Sequence, residues 1–250
     1  LEKIMYSIGI VTYVKRFEKY FKPLIKQIKY FRPNIQINVC VNGEYKENFN
    51  EQYRKEILNF TSEYNNLFIN IFPEFRSLSK LWNTCLINSS NNKCLLLNDD
   101  VTIADKLFFN NLEKVIRVSN QSFKINGSWS HTFLIREEIN EIGWFDERYL
   151  GVGEEDGDFE WRYQNKLQKP FLSVEISGII NHVEKEDCLK NIKIVNSKYS
   201  LFNKKFSELK YKESDDGKKY GIMDKKVLCV NETKNQYPNE KFYWLNKEKL

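Results

Sequence analysis

Two acidic stretches hold the residue types best suited to chemistry. The first is Cys-Leu-Leu-Leu-Asn-Asp-Asp at 94–100, an apolar run that ends abruptly in two carboxylates. Three leucines between polar residues are too short for a helix and suit a strand buried on both faces. Open α/β sheets bind ligands just beyond the carboxyl ends of their strands. Asp99 and Asp100 at such an edge can hold a divalent cation through oxygen, with a phosphate as co-ligand. A polar turn closing a core strand is the plainer alternative.

The second stretch is Gly-Val-Gly-Glu-Glu-Asp-Gly-Asp at 151–158. Glu154, Glu155, Asp156 and Asp158 repel one another, so gathering them costs energy unless some cap a helix, bind a cation or face a cationic partner. Asp156 or Asp158 can cap a helix that begins near Phe159. The flanking Gly151 and Gly153 let the backbone approach a ligand closely, and Arg162 follows one turn on. With Trp144, Phe145, Tyr149 and Trp161 nearby in sequence, the cluster is a candidate for acid–base work rather than a solvated surface.

His182 ends an apolar run, Ile-Ile-Asn-His, and is one of two histidines. Combined with the carboxylates at 99–100, it completes an Asp/His site with positions open for phosphate oxygens. Imidazole plus carboxylate suits Mn2+, with Mg2+ tolerated. His131 follows Ser-Trp-Ser, where packing and an acceptor contact are equally open readings.

The elements that would position these groups alternate. Met5–Tyr13 is β-branched and aromatic and reads as a first strand. Arg16–Phe31 has helical spacing, with Pro23 either splitting it or opening its second part. Strands are expected at Ile35–Val41, Leu67–Phe72 and the Cys94 run, with helices at Asn50–Phe60 and Leu78–Asn88 between them. That order is the pattern of a mostly parallel sheet with right-handed crossovers. The second half is less regular: a strand at Thr132–Ile135, a helix at Arg136–Ile142 closed by Gly143, a helix at Phe159–Leu167, strands at Phe171–Glu175 and Ile179–His182, and an amphipathic helix at Asp187–Leu209.

The chain has 250 residues, 41% of them hydrophobic and 15% aromatic, enough for one well-buried α/β domain with a small appendage. Its net charge of +5 is spread along the chain and does not single out nucleic acid. Five cysteines, odd in number and without a Cys-x-x-Cys pair, suit reduced thiols in a reducing compartment. No Gly-x-Gly-x-x-Gly follows the first strand and no Walker loop occurs, which disfavours dinucleotide oxidoreductases and P-loop enzymes. No apolar run spans a membrane and no secretory signal is visible. The expected location is cytoplasmic, with peripheral contact at the inner membrane left open through Lys-rich surfaces such as 190–205.

Taken together, Ser7–Tyr13, Leu95–Asp100 and Gly-Trp-Phe-Asp-Glu at 143–147 leading to Glu155, Asp156, Asp158 and Arg162 resemble a nucleotide-sugar-dependent glycosyltransferase of the GT-A fold, of the inverting family-2 type. The 151–158 segment is also similar to the Gly-Trp-Gly-x-Glu-Asp-Asp-Asp motif of the β-1,4-galactosyltransferases, with Val152 in place of the aromatic. The resemblance covers roughly residues 5–183. It implies a Rossmann-like, mostly parallel sheet flanked by helices, with a C-terminal helical extension. It also implies a catalytic domain at 1–183, made of a nucleotide-binding half (1–100) and an acceptor half (101–183), with 184–250 as a helix and tail.

The roles follow from the resemblance in the same way. Asn98, Asp99 and Asp100 stand where the family has its Asp-x-Asp, with Asp100 as metal ligand and His182 completing the Mn2+ or Mg2+ site. Thr12 and Tyr13 meet the nucleoside, Asn42 stands where an aspartate usually reads uracil, and Arg76 and Lys80 run beside the donor phosphates. Asp156 is the catalytic base, and Glu155 binds the acceptor or orients the base. The implied activity moves a galactose- or N-acetylhexosamine-like sugar from a UDP-sugar to a hydroxyl of a glycan or lipid-linked glycan, as in bacterial surface polysaccharide or lipooligosaccharide synthesis. The alternatives are a nucleotidyltransferase and a non-catalytic nucleotide- or glycan-binding module.

Overall fold

The structure is a computed structural model, which describes residues 5–44, 47–182, 201–207 and 210. The chain forms two compact units interleaved in sequence. The first takes in the described parts of 1–76, 84–136 and 172–183, and the second those of 77–83, 137–171 and 184–250.

The first unit carries the sheet. Strands β1 (Ser7–Thr12), β2 (Gln36–Val41), β3 (Leu67–Ile71) and β4 (Lys93–Asn98) run parallel in the spatial order β3-β2-β1-β4. Helices α1 (Lys22–Phe31), α2 (Glu51–Ser62) and α3 (Leu78–Ile87) alternate with them in sequence. The expected alternation therefore holds, and so does the three-leucine strand: Cys94, Leu95, Leu96 and Leu97 are all buried. Pro23 sits in the first turn of α1, directly after a wider helical turn at Phe17–Phe21. Asn50 caps α2 by accepting from the Tyr53 N–H at 3.0 Å. Gly9 is required by packing, because a Cβ there would lie 2.7 Å from Cys85 Cβ and 2.7 Å from a Leu96 methyl.

Past β4 come β5 (Val101–Ile103), α4 (Leu107–Val118), β6 (Phe123–Ile125) and β7 (Ser128–Ile135). The sheet continues with β7 antiparallel to β4 and β6 antiparallel to β7. Helix α5 (Arg136–Ile142) follows at its expected bounds, and Gly143 after it has a φ of 95°, a left-handed value that suits glycine. Helix α6 (Glu155–Leu167) begins four residues before the expected Phe159, so its first turn contains the acidic cluster itself. The reason is local: Gly151, Gly153 and Glu154 all take positive φ, which turns the chain early and leaves the acids at the helix start, where the dipole favours them. Strand β8 (Leu172–Val174) joins β6 in parallel, and β9 (Ile179–Asn181) pairs with β5 as a separate two-stranded ladder. The expected C-terminal helix is described only at 201–207, which is helical; apart from Lys210, the rest of 187–250 lies outside the described residues.

Candidate functional site

The carboxyl ends of β1, β2 and β4 gather most of the expected donor residues in the first unit. Val11 pairs with Cys40 and with Asn98, so Thr12, Asn42 and Asn98–Asp100 emerge side by side from one edge of the sheet. Asp99 and Asp100 follow β4 directly. Burial pushes the Asp99 carboxyl up to about 6 against the pull of the adjacent Arg16 guanidinium, and burial likewise raises Asp100. His182 reaches the same place through the β5–β9 ladder: its backbone N–H donates to the Asp100 carbonyl at 2.8 Å. Its Nε2 lies 2.7 Å from Thr102 Oγ1, which orients the ring. Strand register thus sets the backbone of His182 beside that of Asp100.

Arg16 was not foreseen. It lies in the helical turn after β1, and its Nη1 lies 2.8 Å from Asp99 Oδ1 and 3.0 Å from Asp100 Oδ2. The signal for it was topological: β1 and β4 are adjacent and parallel, so the turn after β1, which carries Lys15 and Arg16, lies beside the end of β4. The Asn42 side chain is engaged with the chain's own backbone in this structure. Its side-chain amide donates to the Arg76 carbonyl at 3.0 Å and accepts from the Arg76 N–H at 2.8 Å, extending the β2 ladder by a side chain. Gly43 beside it is hemmed in by the backbone of Pro73 and Glu74, where a Cβ would clash at 2.5–2.7 Å. Arg76 is therefore positioned by its backbone, and its Nη1 lies 3.5 Å from Glu74.

The donor set at the end of β4 fits a divalent cation. Asn98 Oδ1 and Asp100 Oδ1 are buried with no hydrogen-bond partner among the described residues, an arrangement that leaves hard oxygen ligands unspent. Among the described residues, no three His, Cys, Asp or Glu side chains gather closely enough to hold a metal alone. A cation there would take its remaining ligands from phosphate and water, as Mg2+ commonly does. His131 lies in β7 opposite Leu97, and burial lowers its pKa.

In the second unit the acidic stretch separates into two jobs. Asp158 and Arg162 are structural: Arg162 is fully buried, its Nε donating to Asp158 Oδ2 at 2.9 Å and its other nitrogens to the carbonyls of Ile142, Gly143 and Trp144. Lys210 Nζ closes the group at 2.7 Å from Asp158 and 2.6 Å from Asp146. Among the described residues, Glu155 and Asp156 have no such counter-ion. Burial, reinforced by Asp156, pushes Glu155 up to about 8, while its Oε2 accepts from the Gly153 N–H at 2.5 Å. Burial also raises Asp156, whose Oδ1 accepts from the Gly157 N–H at 2.7 Å. Asn203, unforeseen, fixes the glycine loop through the Leu150 N–H and the carbonyls of Leu150 and Gly153. Lys80 also belongs to this unit, with its ammonium 3.7 Å from Glu147.

No protein-family model matches the chain, and no curated protein matches it. Solved structures do. TarS of S. aureus superposes with a TM-score of 0.53 at 13% identity, over 82% of this chain and 42% of the TarS chain. Glucosyl-3-phosphoglycerate synthase of Mycobacterium tuberculosis, crystallised with Mn2+, UDP and phosphoglyceric acid, gives 0.54 at 11% identity, over 78% of this chain and 76% of that one. A TarS fragment, residues 1–349, in complex with UDP-GlcNAc gives 0.51 at 12% identity, over 79% and 66%. The chain has a GT-A fold. It spans less than half of the TarS chain it matches. Among its described residues, no helix is long and apolar enough to cross a membrane.

Proposed function

We propose that the chain is an inverting glycosyltransferase that moves a hexose or N-acetylhexosamine from a UDP-sugar to a hydroxyl of a glycan acceptor. The observation that carries this reading is the cross-strand pairing of Asp100 with His182 at the end of β4, on a fold shared with structures solved with UDP, UDP-GlcNAc and Mn2+. Thr12 and Tyr13 receive the nucleoside, and Arg76 lies toward the diphosphate. Asp100 and His182 hold Mn2+ or Mg2+, which would neutralise charge on the departing diphosphate.

Asp156 supplies the remaining need. A hydroxyl attacking the anomeric carbon must lose its proton as the bond to the diphosphate oxygen breaks, and a carboxylate on the attacking side accepts it. One base and direct displacement give inversion. Glu155, protonated at neutral pH, donates a hydrogen bond to the acceptor and leaves the base role to its neighbour. The test is calorimetric binding of UDP with and without Mn2+ to the wild type and to Asp100→Asn. Metal-dependent binding lost in the variant is the expected result; no UDP binding under either condition overturns the UDP assignment.

A further inference from the structure

Arg16 is the cation that the fold itself places among the carboxylates. One guanidinium nitrogen bridges Asp99 Oδ1 at 2.8 Å and Asp100 Oδ2 at 3.0 Å, with side-chain exposures of only 16%, 2% and 13% for the three residues. Two adjacent buried carboxylates repel unless a positive group stands between them, and here that group comes from the chain. The guanidinium carbon lies 5.6 Å from the centre of the Tyr13 ring, so an aromatic face flanks the charge on another side. Asp100 Oδ2, one of the two oxygens that this carboxylate can offer to a metal, is spent on Arg16, while Oδ1 has no hydrogen-bond partner among the described residues.

We propose that Arg16 is a built-in competitor of the divalent cation. It bridges Asp99 and Asp100 while no metal is bound, yields Asp100 when the cation enters, and then turns its planar donor fork to the diphosphate that accompanies it. This rests on the donor-site reading above. Its consequence is a linkage between metal and nucleotide: the cation alone must displace Arg16 without giving it a new partner, whereas the cation with UDP offers that partner. Each ligand then raises the affinity for the other by the same factor.

The test is Mn2+ binding, followed by the electron paramagnetic resonance signal of free Mn2+, with and without UDP. The proteins are wild type, Arg16→Gln, Arg16→Lys and Asp100→Asn. Arg16→Gln is expected to bind Mn2+ alone about tenfold more tightly than wild type, the equivalent of one charge-assisted hydrogen bond. The enhancement of Mn2+ binding by UDP shrinks in the same variant. Arg16→Lys keeps the charge on a shorter stem without the planar fork, so its affinity for Mn2+ alone lies between the two. It carries the test if Arg16→Gln does not fold, and an affinity no tighter than wild type then overturns the proposal. Equal or weaker Mn2+ binding by Arg16→Gln, with wild type binding normally, overturns this inference and leaves the donor site standing. Absence of Mn2+ binding in wild type and both Arg16 variants overturns the two together.

Discussion

The backbone N–H of His182 donates to the backbone carbonyl of Asp100, so the two expected metal ligands are tied together by main chain rather than by their side chains. The β5–β9 ladder, with Val101 opposite Asn181, fixes that register. Replacing either side chain therefore leaves the ladder intact. His182→Ala is expected to keep its thermal transition while weakening Mn2+ binding by at least about tenfold, the loss commonly seen even for groups that only orient a ligand. Thr102→Val removes the contact to His182 Nε2 and is expected to have a smaller effect in the same direction. Mn2+ titration in the presence of UDP reads both, and unchanged affinity in His182→Ala removes His182 from the site.

Why some of this was legible and some was not follows from the elements themselves. The run at 94–97 declared itself because a strand buried on both faces has no polar face to disguise it. Its terminal acids, and the acids at 154–158, were visible as residue types. Helix α4 went unread although Phe108, Phe109, Leu112 and Ile116 line its buried side, because its cap position is Lys106, which makes no side-chain capping bond. Strands β5 and β6 have three residues each, too few to show a period. The start of α6 was misplaced because a run of acids after two glycines has the composition of a loop, and only the positive φ at Glu154 shows where the turn is made. Arg16 with Asp99, and Asn42 with Arg76, depend on strand neighbours that no local pattern encodes.

Asn42 offers a test of what its position demands. Its amide makes one donor and one acceptor contact to the backbone of Arg76, a pairing that needs both an oxygen and an N–H2. Asn42→Asp, the change toward the residue the resembled family carries there, keeps the acceptor but sets a carboxylate oxygen against the Arg76 carbonyl. A loss of about 1–3 kcal/mol in urea unfolding is expected, since a backbone carbonyl loses its partner and meets like charge. Equal stability would show that the aspartate turns outward, free to meet a base.

Glu155 makes the stability of the second unit depend on pH in an unusual direction. Its folded value of about 8 lies well above the ordinary carboxyl range near 4.3, so between these values the folded chain keeps a proton that the unfolded chain has lost. Its contribution is fully present below about pH 4.3 and is lost as pH rises through 8, at up to about 1.4 kcal/mol per pH unit. Glu155→Gln cannot titrate, so it should gain on wild type steadily from pH 5 to pH 8. Urea unfolding of both proteins at intervals across that range measures the difference. Parallel curves would mean that Glu155 is already ionised at neutral pH, and its role as a hydrogen-bond donor would fall.

Asp156→Asn separates the base from its neighbour. The substitution is isosteric and keeps an oxygen to accept from the Gly157 N–H, so the first turn of α6 should be preserved. What it removes is the ability to take a proton, worth on the order of 10²–10⁴ in rate for a general base. Sugar transfer is expected to fall by that factor in kcat, while UDP and Mn2+ binding match wild type because the groups assigned to them lie at the ends of β1, β4 and β9. The pH profile distinguishes the two carboxyls. With Asp156 as base, Glu155→Gln keeps an acid limb in the rate, and Asp156→Asn abolishes it. If Glu155 were the base, the rate would rise only as pH approached 8, where its carboxyl ionises. An acid limb that survives in Glu155→Gln and disappears in Asp156→Asn assigns the proton to Asp156.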